Sequence, residues 1–229
     1  MPFKLKQSRK IIFTVLLSVT AVIIMTLIEN HLKYGYWCKS LMKIIVFCGS
    51  IFLYSRLYGK SILQTLNINR KKPSRKLIIL MAGVYAIVIV GYLLLKDHID
   101  LVTIRQNLMN KENLTVHNFY WIFGYIIFFN SLLEESFFRG FIYHCFKEEG
   151  MPRAGMVFGS ILFSLYHIGI MSSWFNPLVF ILALISLTVA GIMLQYVEIR
   201  NDNLLASYLV HGCANLAINT IGTLMILFQ

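Results

Sequence analysis

The chain has 229 residues, of which 58% are hydrophobic and 14% charged. Soluble domains average about 45–50% apolar and about 25% charged residues, so this composition belongs to a membrane protein. The formal net charge is +11. Its basic residues cluster in a few short loops without interleaved aromatics, a pattern that sets membrane orientation and offers no nucleic-acid surface.

The length suits one polytopic domain and leaves little room for a separate soluble one. The four cysteines, Cys38, Cys48, Cys145 and Cys213, form no CxxC pair. A zinc knuckle or redox motif is therefore not indicated. Cys48, Cys145 and Cys213 lie in apolar stretches and read as small buried residues.

A basic stretch from Lys4 to Lys10 precedes the apolar run Ile11–Ile28. That run is long for a signal-peptide core, and Glu29-Asn30-His31 offers no small-residue cleavage site, so it reads as an uncleaved first span. The second span, Tyr36–Leu57, carries Lys39 and Lys43 near its start. Their long stems are expected to snorkel to the interface. The next loop holds Lys60, Arg70, Lys71, Lys72, Arg75 and Lys76 and is the most basic of the chain.

Leu77–Leu95 contains no charged residue and is the clearest span. A polar connection, Lys96–Asn118, leads to the span Phe119–Phe146. Gly150 and Pro152 mark a short turn between helices. Ala154–Met171, Pro177–Ile199 and Asn203–Phe228 follow, each near the roughly 20 residues needed to cross the hydrocarbon core. The expectation is an all-α polytopic bundle of about seven spans. Residues 1–118 form an N-terminal region of three spans, and 119–229 a core in the last four. Lys4 to Lys10, the Lys60–Lys76 cluster, Lys147, Arg153 and Arg200 then fall on one side. Such a bias places the N-terminus in the cytoplasm and the protein, multi-pass, in the cell membrane.

The fourth span contains Glu134, Glu135 and Arg139. On insertion scales each charge at mid-bilayer costs about 2.5–3.5 kcal/mol, so such groups need partners inside the protein. Candidates in the last four spans are His144, His167, His211 and Asn215, while the first three spans read as almost free of them. Glu135 and Arg139 are four apart on one helix face and form a natural pair. Glu134 points about 100° away and is left to face other helices. His211 and Asn215 share one stripe, and Phe163, which packs, shares a face with His167.

A carboxylate, two imidazoles and a carboxamide are a sufficient set for hydrolysis. Glu134 is the candidate general base toward water. His167 and His211 are candidates to hold the water or a divalent metal such as zinc, and Asn215 to bind the oxyanion. The helical HExxH pattern is absent. The same residue types also build proton relays and transporters, so chemistry alone leaves both classes open.

Three motifs narrow the choice. They are EExxxR at Glu134–Arg139, FxxxH at Phe163–His167 and HxxxN at His211–Asn215. In order and placement they resemble those of the CPBP intramembrane proteases, which include CAAX prenyl endopeptidases and bacterial relatives linked to bacteriocin processing and self-immunity (the Abi group). The resemblance implies an intramembrane endopeptidase of the (metallo)protease type. In it Glu134 activates water, Glu135 and Arg139 support that glutamate, His167 and His211 position water or metal, and Asn215 forms the oxyanion hole. It leaves open whether a metal or a metal-free glutamate mechanism operates. The expected partners are the lipid bilayer and a peptide precursor or membrane-protein substrate. The alternative is a non-catalytic bacteriocin self-immunity or regulatory membrane protein of the same fold. Oligomeric state is not legible.

Overall fold

The computed structural model describes residues 2–31, 34–66, 68, 73–172 and 174–228. Arg70, Lys71 and Lys72 of the basic loop lie outside the described residues. The described residues are helical without strands: α1 (Pro2–His31), α2 (Tyr36–Tyr58), α3 (Ile62–Leu66), α4 (Arg75–Leu95), α5 (Leu101–Lys111), α6 (119–148), α7 (Pro152–Tyr166), α8 (Ile168–Met171), α9 (Pro177–Asn201) and α10 (Leu204–Phe228). Six helical stretches are long and apolar enough to cross a membrane. They fall on α1, α2, α4, α7–α8, α9 and α10. With α6 they make the all-α polytopic bundle of about seven spans that the hydropathy predicts.

The helix ends follow local chemistry. Ser74 caps α4 by accepting from the Leu77 N–H, and Asn176 caps α9 by accepting from Val179. Proline occupies the first turn of α7 and of α9, where its missing N–H costs nothing. Gly59 ends α2 at φ +65°, a conformation that disfavours other residues. Asp100 caps α5, and the Thr103 N–H it accepts holds its carboxyl below the usual range.

α6 is the axis of the bundle. Ile126–Asn130 and Ser136–Ile142 are π-helical, on either side of α-helical Ser131–Glu135. Wider turns of this kind inside a helix are frequent at functional sites, because they re-aim side chains. Every residue from Leu133 to Phe146 is buried. α4 is the opposite case: only Leu77 is buried, and the rest of the helix offers a largely lipid-facing surface. Cys48 is likewise exposed, contrary to the sequence expectation. In a membrane protein an apolar neighbourhood is as often lipid as core.

Ion pairs define the two ends. Lys10 binds Glu149 at 2.7 Å and Lys60 pairs with Glu148, joining the start of α1, the end of α2 and the end of α6. At the other end Lys39 reaches Glu112 at 2.6 Å and Glu29 at 3.3 Å. Lys39 is therefore a buried tie between α1, α2 and the end of α5, only 4% exposed, rather than an interfacial snorkel. The fifth span also differs from its expected extent, Ala154–Met171. Its helix breaks at His167, which sits at a turn between α7 and α8.

Close packing of α9 on α7 depends on Gly191. A Cβ there would lie 3.1 Å from the Ser160 Cα and 3.0 Å from its Cβ. Gly191→Val is expected to destabilise the bundle by about 1–3 kcal/mol through overpacking. Thermal unfolding in detergent, followed by tryptophan fluorescence, reads this as a lowered midpoint with unchanged helicity.

Candidate active site

Glu134 and Glu135 are 2% and 0% exposed. Two adjacent ionised carboxylates at this depth are tolerable only with cations and donors at contact distance. For Glu135 these are Arg139, whose Nη1 is 3.2 Å from Oε1, and His211, whose Nδ1 is 2.9 Å from the same oxygen. The i,i+4 pair expected from the sequence is present. Arg139 also stands 4.2 Å over the Phe163 ring, so Phe163 packs against both the cation and, edge-on, the His211 ring at 5.7 Å.

For Glu134 the first partner is one that the sequence reading assigned elsewhere. The Lys43 ammonium meets Oε1, and its next contact is Asn130 Oδ1 at 2.6 Å. Asn130 in turn donates to Glu134 Oε1 at 3.0 Å. Lys43 is 5% exposed and does not snorkel. It lies seven residues into α2, or ~10 Å along the axis, too deep for a lysine stem to reach water. That depth was the signal available in the sequence. The N-terminal spans thus do hold ionisable groups buried in the protein, namely Lys39 and Lys43, with Glu29 half-buried beside Lys39.

His211 spans the two glutamates, with Nε2 3.6 Å from Glu134 Oε2. Because an ionised carboxylate accepts only, the contact to Glu135 places a proton on Nδ1, which in the neutral imidazole leaves Nε2 with a lone pair. His167 is set in the same way. Its Nδ1 donates to the Phe163 carbonyl oxygen at 2.7 Å, again leaving Nε2 open. Oε2 of Glu134 and Nε2 of His211 are therefore two acceptors separated by more than a hydrogen bond, an arrangement that a water proton donor can bridge.

Asn215 donates through Nδ2 to Ser131 Oγ at 2.8 Å, and Ser131 donates to the Ile126 carbonyl at 3.0 Å. Ser131, like Asn130, lies one turn before the glutamates and was missed. Reading i,i+4 partners backward from Glu134 as well as forward would have found Asn130. His144 stands apart from this site. It contacts Glu198 at 3.0 Å on α9, and Gln195 completes that buried cluster.

The open Nε2 atoms of His167 and His211 have the tautomer that metal ligation requires. Among the described residues no group of three or more His, Cys, Asp or Glu is placed to hold an ion. The Glu134 oxygen Oε1 is already met by an ammonium.

These features define a polytopic helical membrane protein with a glutamate–histidine–asparagine site enclosed by α2, α6, α7 and α10. Residues 116–217, which contain all three motifs, match the family model described as type II CAAX prenyl endopeptidase Rce1-like. The match covers less than half of the chain, and its description is of the kind that the CPBP resemblance implies. No curated protein and no solved structure matches the chain.

Removing one member of the Glu135–Arg139 pair leaves the other as an unpaired buried charge. Glu135→Ala and Arg139→Ala are each expected to lower stability by about 3–5 kcal/mol. Membrane accumulation and unfolding midpoints of the purified variants check this. Wild-type levels for both would show that the pair does not hold the site.

Proposed function

We propose that the protein is an intramembrane endopeptidase that hydrolyses a peptide bond with water activated by Glu134. The observation that carries this reading is the facing pair of acceptors, Glu134 Oε2 and His211 Nε2, held by partners on α2 and α6. The family match supports the reaction class.

The water oxygen attacks the scissile carbonyl carbon while Glu134 Oε2 takes one of its protons. Its other hydrogen is donated to one imidazole Nε2, that of His211 or of His167, which orients the water. The carbonyl electron pair moves to oxygen, where the second N–H of Asn215 Nδ2 stabilises the oxyanion, the first being held by Ser131. Collapse breaks the C–N bond, and the proton on Glu134 passes to the leaving amine.

The substrate is a peptide precursor or membrane-associated protein entering from the bilayer. The basic end, with Lys10, Lys60, Lys147, Arg153 and Arg200, is the cytoplasmic one, as the positive-inside bias requires.

The test uses the full chain purified in detergent and an internally quenched, farnesylated CaaX peptide, with products identified by mass spectrometry. Glu134→Gln is expected to lower turnover about 10²–10⁴-fold, and Asn215→Ala about 10²–10³-fold. Both variants should accumulate in the membrane. Dialysis against a chelator should leave wild-type turnover unchanged. Full turnover by Glu134→Gln would overturn the hydrolytic assignment. An intact wild type that leaves this peptide uncut would remove the CAAX substrate class.

A further inference from the structure

We infer that Lys43 is a positioning residue for the reaction: with Asn130 it fixes Glu134 Oε1 and so reserves Oε2 for the proton of the attacking water. The inference rests on the hydrolytic reading above and extends the site into the N-terminal spans, which lie outside the matched family segment.

The two oxygens of Glu134 have different surroundings. Oε1 receives the Lys43 ammonium and the Asn130 amide. Oε2 lies 3.6 Å from His211 Nε2, beyond hydrogen-bond distance. A carboxylate with four lone-pair sites and no such clamp can rotate and present either oxygen. Here two donors from two helices hold one oxygen, and the second Lys43 contact, to Asn130 Oδ1, turns the amide so that its N–H points back at Oε1. The three groups form a closed triangle. A general base gains from such fixing because misplacement of a reacting atom by about 1 Å can cost 10²-fold in rate.

The ammonium is itself held on its other sides. It lies 4.6 Å from the centre of the Tyr166 ring and 5.7 Å from that of Phe47. Register between α2 and α6 is set just beyond the ion pair, where Phe47 stacks on Phe137 at 4.1 Å with an interplanar angle of 8°. Tyr54 meets Phe141 edge-on further along. One turn before Lys43 on α2, Lys39 is tied to Glu29 and Glu112. A one-turn slip of α2, ~5.4 Å, would break all of these contacts together. Simple charge neutralisation needs no such precision, since a lysine anywhere near the carboxylate would serve.

The experiment uses the full chain in detergent and the farnesylated CaaX peptide. Lys43→Met is expected to lower kcat at least tenfold with KM within twofold of wild type. Should it fail to accumulate, Lys43→Gln, which keeps an N–H donor, takes its place with the same expected split. An unchanged kcat, or a raised KM at full kcat, overturns the inference. Unfolding midpoints of wild type, Lys43→Met, Glu134→Gln and the double variant form a second arm. There the double variant should lose clearly less than the sum of the single losses. If the wild type does not cut the peptide, the CAAX reading fails and this cycle decides for Lys43: additive losses overturn its pairing with Glu134.

Discussion

Burial of two neighbouring carboxylates at bilayer depth is the constraint on which the rest of the structure depends. Neither Glu134 nor Glu135 can be left unpaired there, because the desolvation of a lone ion costs several kcal/mol. The chain answers with two cations from different places. Arg139 comes from the same helix and Lys43 from a helix 91 residues earlier in sequence. Glu135 with Arg139 and Glu134 with Lys43 give no net charge before the histidines are counted. His211 then joins the two pairs by touching both glutamates. The packing follows this arrangement. α6 lies at the centre, buried from Leu133 to Phe146, and the helices that supply partners close around it.

Much of the candidate site was legible because helical periodicity is a strong constraint. Glu135 and Arg139 are four apart, as are His211 and Asn215, and those spacings translate directly into shared faces. The family resemblance added an order of motifs that chance seldom produces. The helical class and the number of spans came from apolar run lengths, which the bilayer thickness fixes.

What escaped the sequence involves distance in the chain or a departure from regular helix. Lys43 and Glu134 meet only after α2 packs alongside α6 in parallel, a contact that no local pattern encodes. The two π-helical stretches of α6 alter which residues face which neighbour, so facing angles drawn from a regular α-helix are inexact there. Ser131 and Asn130 were hidden for a simpler reason: each is small and polar, and such residues are common in spans without any special part to play. The break at His167 has no proline to announce it, only Gly169 two residues further on.

On the proposed reading, Glu134 performs peptide hydrolysis in cells. Comparative peptidomics of membranes and medium tests it most directly, without a chosen substrate, in strains expressing wild type or Glu134→Gln at equal levels. The account predicts at least one cleaved peptide pair present with the wild type and replaced by its uncut precursor in the variant. Identical peptide profiles in the two strains would contradict it.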